Sequence, residues 1–184
     1  MQKPQAKEAK LTEAELVALR FYTSHSFESI NKPMRDMDRV GPHPLPGVVT
    51  NIQEGLKKLR RLGENDASSK QTVVLWRGMR AMKFSDEFST EGGTELAPMS
   101  TTTDVSVAIS YAIKNDTRSA LLFRFVTRNN LERGAEVQWL SMFPNESETL
   151  FPPLTFIQKT RSEGRVVQHD GVTVSVVELS TSLA

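Results

Sequence analysis

The chain has 184 residues, enough for one domain that buries a proper core, with a small helical attachment at most. Its 23 lysines and arginines nearly balance 22 aspartates and glutamates, so no global field draws it to nucleic acid or an anionic membrane, and neither is expected as a partner. The absence of cysteine excludes disulfides, a thiol nucleophile and a thiolate metal site. His25, His43 and His169 lie too far apart in sequence to suggest a metal, and none is expected.

Residues 1–10 are polar and charged and read as a flexible tail without the apolar run of a signal peptide. No stretch approaches membrane-spanning length, so the expected location is the cytoplasm, or outside the cell as an effector exported by another route. A capping box, Thr12-Glu13-Ala14-Glu15, announces a first helix with an apolar face at Leu16, Leu19 and Phe21, running to about Ser24. A second helical piece spans Ser26 to Asn31, and Pro33 opens the next turn. Residues 41–47 are a loop by composition. Val48 to Leu62 carries Val48, Ile52, Leu56 and Leu59 at amphipathic spacing and ends at Gly63. Within it, Lys57, Lys58, Arg60 and Arg61 read as a solvated basic face. Residues 64–70 form a polar, mobile loop.

From Gln71 the period changes to that of strands. Strands are expected at Val73–Met79, Leu96–Ser100, Ala120–Thr127, Glu148–Phe151, Phe156–Lys159, Val166–Gln168 and Val172–Leu179. Asp104 caps a short helix from Val105 to Lys114, and Glu163-Gly164 and Asp170-Gly171 are turns. Helices first and strands later is an α+β arrangement: a helical lobe at about 11–63 and a strand-rich core at about 71–180 within one domain. No Gly-x-Gly-x-x-Gly is present, so a Rossmann site is not indicated.

Three segments carry chemistry. Val73-Val74-Leu75-Trp76-Arg77-Gly78 is an apolar strand ending in an arginine, which either snorkels to solvent or has an anionic partner. Ser100-Thr101-Thr102-Thr103-Asp104 is a hydroxyl run before the short helix. Glu146-Ser147-Glu148, followed by Thr149-Leu150-Phe151-Pro152-Pro153, places two carboxylates one residue apart. If a strand begins there, both point into the same space; the plainer alternative is a solvated turn.

In this order, and over the chain from the first helix onward, the three segments resemble the arginine-specific mono-ADP-ribosyltransferases, the family with the R-S-E signature. The middle motif departs from the family's Ser-Thr-Ser by carrying Thr102 in the last position. The resemblance implies two packed antiparallel β-sheets around an NAD cleft, with the N-terminal helices outside. NAD is then the co-substrate, and the partner is an acceptor protein with an exposed arginine, the enzyme's own surface included.

The resemblance also implies roles. Glu148 stabilises the oxocarbenium-like ribosyl cation left when nicotinamide departs. Arg77 holds the diphosphate, with Gly78 beside it, and Ser100, Thr101 and Thr102 line the cofactor side of the cleft. Glu146 binds the acceptor guanidinium and takes its proton. The turns from Glu136 to Asn145 recognise the acceptor, with Phe143 and Trp139 as its aromatics. Two alternatives stay open: an NAD glycohydrolase, in which water replaces arginine, and a catalytically silent NAD-binding or interaction domain.

Overall fold

The computed structural model describes residues 3–64, 70–79, 86–113, 119–160, 164–169 and 171–183. Helices come first: α1 (Pro4–Glu8), α2 (Glu13–Tyr22), α3 (Phe27–Arg35) and α4 (Pro46–Glu64). The capping box forms, with the Glu15 N–H donating to Thr12 at 3.2 Å and the Thr12 N–H donating to Glu15 at 2.8 Å; such a cap contributes ~1 kcal/mol. Glu15 also receives Lys58 of α4, at 2.7 and 2.8 Å. Burial pushes the Glu15 carboxyl up, but Lys58 and the Thr12 N–H outweigh it and hold the group below its ordinary range. The same two helices pack tightly at Gly55, where a Cβ would lie 2.8 Å from Leu19 Cδ1. Leu19, Ile30, Ile52 and Leu56 are fully buried in a core shared with Val137, Leu140 and Leu150.

Several expectations shift in this half. Residues 3–10, expected within a free tail, carry α1, and Ala6 and Ala9 are buried. On α2 the inward positions are Ala18, Leu19 and Tyr22, while Phe21 is 38% exposed. Pro33 lies inside α3 instead of opening a new turn. One lost backbone hydrogen bond there is offset by the burial of Ile30 and by Arg35, which reaches Glu95 from the last turn. The basic face is only partly solvated: Lys58 pairs with Glu15, and Arg60 donates to the carbonyls of Arg133 and Leu131 at 3.1 and 3.3 Å. Most of the 64–70 loop, the end of the helix expected to reach Lys114, and parts of the turns at Glu163 and Asp170 lie outside the described residues.

The strand-rich half contains β1 (Val73–Met79), α5 (Asp86–Glu91), β2 (Gly93–Glu95), β3 (Met99–Thr102), α6 (Val105–Ala112), β4 (Ser119–Thr127), β5 (Ala135–Glu136), β6 (Glu148–Phe151), β7 (Thr155–Lys159), β8 (Arg165–His169) and β9 (Val172–Ser182). Hydrogen-bonded neighbours run β2-β7-β9-β4-β1-β3-β6-β5, with β8 pairing β9. The α+β class is as expected. The two sheets, however, join into one path through a single pair, Trp76↔Thr102 between β1 and β3, and β4–β9 is parallel. On either side of that junction the halves face each other across a shared core. Leu75, Phe123, Phe125, Ile157, Val177 and Leu179 come from one half, Met99 and Phe151 from the other. The strand expected at Leu96–Ser100 is shifted to Met99–Thr102, because Pro98 has no N–H to give a ladder. No described helix is long and apolar enough to cross a membrane.

Alternation along β1 sets up the site. Leu75 and Arg77 fall on the core face, while Trp76 and Gly78 face α6, whose Ala108, Ile109 and Ala112 pack with Leu122 and Val174. A Cβ on Gly78 would lie 2.1 Å from the Ala108 carbonyl oxygen and 2.8 Å from the Ala112 nitrogen. Backbone atoms cannot turn aside as a side chain can. Gly78→Ala is therefore expected to lower unfolding stability by about 3 kcal/mol or more, at the upper end of overpacking costs, as read from urea denaturation.

Candidate active site

The two half-sheets diverge beyond Trp76↔Thr102, and side chains fill the opening. The first is Arg77, whose Nη1 donates to the Ser100 carbonyl oxygen at 2.8 Å and so ties β1 to β3 where their ladder has stopped. Its Nε is buried and has no partner among the described residues. Burial pulls the guanidinium below its ordinary value, opposed by the phenol of Tyr22 and the carboxylate of Glu95. An arginine stays charged under such a shift, so the fork presents a desolvated cation with spare donors to the cleft.

The Glu-Ser-Glu motif crosses a change in backbone. Pro144–Glu146 is a single 3-10 turn, Ser147 is left-handed at φ 46° and ψ 50°, and β6 begins at Glu148. The two carboxylates therefore do not share a face through an extended run, as the i, i+2 spacing predicts. The left-handed residue turns the chain, and both side chains still line one cleft. Thr102 fixes this corner: its hydroxyl donates to the Glu146 carbonyl oxygen at 2.5 Å and accepts from the Asp104 N–H at 3.0 Å.

Glu148 is 8% exposed and gathers two hydroxyls. Ser100 donates to Oε1 at 2.6 Å, and Ser141 donates to Oε2 at 3.1 Å. Burial raises the carboxyl above its ordinary 4.5, and the Glu146 charge pushes the same way, while the two serines pull it back. The result is a fixed carboxylate, shielded from water and aimed by donors on two different segments. Glu146 lies nearer the surface and accepts from the Tyr111 hydroxyl at 2.9 Å and 3.1 Å.

The remaining expected residues divide. Phe143 lines the cleft and meets the His25 ring edge-on at 5.4 Å between centroids. Trp139 does not line it; it packs against the helical core, and its indole N–H donates to the Glu136 carbonyl oxygen at 3.3 Å. Thr101 gives its hydroxyl to the Thr149 carbonyl oxygen at 2.8 Å, and Gly78 serves the packing of α6. Thr101 and Thr102 thus spend their hydroxyls on the backbone.

Several cleft residues were not singled out from sequence. Tyr22 sits buried on the floor, donating to the Pro98 carbonyl oxygen at 2.7 Å and accepting from Asn31 at 3.1 Å. Its spacing of three from Leu19 is the signal that could have found it. Arg35 and Glu95 pair through two hydrogen bonds of 2.9 Å at another wall. Ser141 and Tyr111 carry no local signal, since each finds its glutamate through tertiary contact.

The cleft holds ≈ 1020 Å³, at the top of the ordinary range for small-ligand sites of ~300–1000 Å³. It offers a buried arginine donor and, as an acceptor, Asn31 Oδ1, which has no partner among the described residues, with Glu148 behind Ser100. This donor set fits an anionic dinucleotide that develops positive charge on one ribose.

Comparison with known proteins agrees. The sequence model of the family described as NAD:arginine ADP-ribosyltransferase matches residues 2–179. Plx2a, an ADP-ribosyltransferase toxin from Paenibacillus larvae, superposes with a TM-score of 0.66 at 17% identity, covering 95% of this chain and 90% of that one. Exoenzyme S from Pseudomonas aeruginosa, solved with human 14-3-3 protein beta and carba-NAD, gives 0.61 at 19% identity over 95% and 77%. The eukaryotic mono-ADP-ribosyltransferase ART2.2, a mutant solved with NAD, gives 0.63 at 17% identity over 95% and 68%. No curated protein sequence matches the chain. With that match over nearly its whole length, and with an arginine, a serine and two glutamates gathered in one cleft, the chain belongs to the NAD:arginine ADP-ribosyltransferase family, whose co-substrate is NAD.

Proposed function

We propose that this protein transfers ADP-ribose from NAD to the arginine side chains of an acceptor protein, releasing nicotinamide. The observation that carries the reading is the pair of glutamates in unlike surroundings, Glu148 buried behind Ser100 and Ser141, and Glu146 nearer the surface. Arg77 binds the diphosphate through its planar fork. Glu148 faces the ribose whose bond to nicotinamide breaks, and its charge stabilises the developing cation. Nicotinamide leaves neutral and needs no proton. Glu146 holds the incoming guanidinium and accepts its proton as the new carbon–nitrogen bond forms. Phe143, at the head of the turn that carries Glu146, flanks the acceptor, while Trp139 packs against the helical core outside the cleft. A glycohydrolase reading has the same Glu148 but gives Glu146 only water to activate.

Incubation with labelled NAD and agmatine is the test, with a guanidine adduct expected and ADP-ribose alone counting against arginine transfer. Glu146→Gln is expected to lower transfer at least a hundredfold, on the order of what a lost general base costs, while NAD cleavage by water continues. If cleavage vanished too, the two glutamates would act as one unit. Arg77→Lys is expected to weaken NAD binding in calorimetry about tenfold, because a point cation cannot hold two oxygens in one plane.

Glu148→Gln separates activity from stability. Transfer and cleavage should both fall by on the order of a hundredfold to a thousandfold. The raised carboxyl means the folded state holds this proton more tightly than the unfolded one. Its contribution to stability is full below the ordinary 4.5 and lost as pH rises through the folded value. At neutral pH the neutral amide should therefore melt higher than the wild type, and the gap should close in acid. A variant melting lower at neutral pH would mean that the ionised carboxylate supports the fold.

A further inference from the structure

Glu146 already has a partner that the reaction as proposed does not use. Tyr111 stands in the last turn of α6 and is 43% exposed. Its hydroxyl lies 2.9 Å from Glu146 Oε1 and 3.1 Å from Oε2. Near-equal distances put it astride the carboxylate, where a guanidinium fork sits when it pairs with both oxygens at once. A phenol has one proton to share between those oxygens. A guanidinium brings two N–H groups and a positive charge, and it binds the same face more strongly. Water brings neither a second aligned donor nor a charge.

We propose that Tyr111 is a specificity-determining gate on Glu146: its hydroxyl holds the carboxylate until a guanidinium displaces it, so water is a poor acceptor. The inference rests on the reading of Glu146 given above. With a guanidinium in place, its nitrogen forms the bond to the ribose carbon, nicotinamide leaves with the electron pair of the broken carbon–nitrogen bond, and the guanidinium proton passes to Glu146. With water the same balance holds, oxygen forming the new bond; this proceeds slowly without Glu146 and quickens only when the carboxylate is free to take the water's proton. Ala108, Ile109 and Ala112 carry the packing of α6, and Tyr111 is on the solvent side of the helix end.

Tyr111→Phe keeps the ring and removes the bond. In calorimetry without NAD, the variant is expected to bind agmatine about tenfold tighter than wild type, the effect of deleting one competing hydrogen bond to a charged group. With NAD, its hydrolysis without acceptor should rise about tenfold, and its KM for agmatine should fall while kcat for transfer holds. In a Glu146→Gln background the same substitution should change none of these, because the competed-for carboxylate is gone. Equal agmatine affinity in wild type and the Phe variant would overturn the gate. So would a lower kcat at unchanged KM, which would make Tyr111 a positioning residue. Tighter agmatine binding by a variant that forms no guanidine adduct would leave the gate standing and overturn the transfer reading instead.

Discussion

The site depends on one interruption in the ladder. β1 and β3 pair only at Trp76↔Thr102, and an unbroken β1–β3 ladder from there would have closed the space in which Arg77, Ser100, Glu146 and Glu148 lie. Peptide groups freed by such a split must find other partners, because unpaired buried backbone is costly. Arg77 supplies one, taking the Ser100 carbonyl oxygen with Nη1. The residue that links the two halves is thus also the cation that lines the gap. The halves are held apart by the same aromatic core that joins them, Phe125 and Phe151 meeting at 5.9 Å between ring centroids.

Into this opening the chain puts a buried carboxylate, which is expensive to ionise. Ser100 and Ser141 reduce the penalty without removing it, since the carboxyl still sits above its ordinary value. Among the described residues no cation is bonded to it, and that fits the task proposed for it. In the proposed reaction a salt bridge would neutralise the charge that a developing ribosyl cation needs, whereas two hydroxyl dipoles aim the carboxylate and leave the charge unspent. Positive charge is kept one step away: Arg77 contacts the backbone of Ser100, and Arg35 is occupied by Glu95. Like charge nearby raises the cost further, because Glu146 pushes the Glu148 carboxyl in the same direction as burial.

How much of this was legible in the sequence follows from the range of the forces involved. The capping box of α2 and the Asp104 cap of α6 are local, and both form as read. The strand at Glu148–Phe151 has its expected bounds, since an apolar run closed by prolines is a local signal too. Arginine, serine and the two glutamates were legible as chemistry once their order was matched to a family. Their mutual geometry was not. Simple alternation predicts both glutamates on one strand face, whereas the left-handed Ser147 does the work, a conformation that sequence does not announce in a serine. Ser141, Tyr22, Asn31 and Tyr111 were missed because their roles come from contacts between elements, as with the Tyr22 hydroxyl and Pro98. The parallel pairing of β4 with β9 is of the same kind, set by where the chain returns rather than by either strand alone.

Thr102, the one departure from the family's hydroxyl motif, shows what such a motif contains. Ser100 and Thr102 face the same side of β3, yet of the two only the Ser100 hydroxyl reaches the Glu148 carboxylate. The Thr102 hydroxyl is held by the Glu146 carbonyl oxygen and the Asp104 N–H, so it joins β3, the glutamate turn and the start of α6 at one point. Serine or threonine supplies that hydroxyl equally well, and a β-branched residue suits a strand position better. Its extra methyl therefore alters neither of these bonds. The motif mixes a residue that reaches a cleft carboxylate with one that holds the corner, and Gly78 beside Arg77 is also structural, kept small by the backbone of α6. Substitution is tolerated where geometry can be met by a second side chain, as at Thr102, and not where a particular charge or an absent Cβ is the requirement.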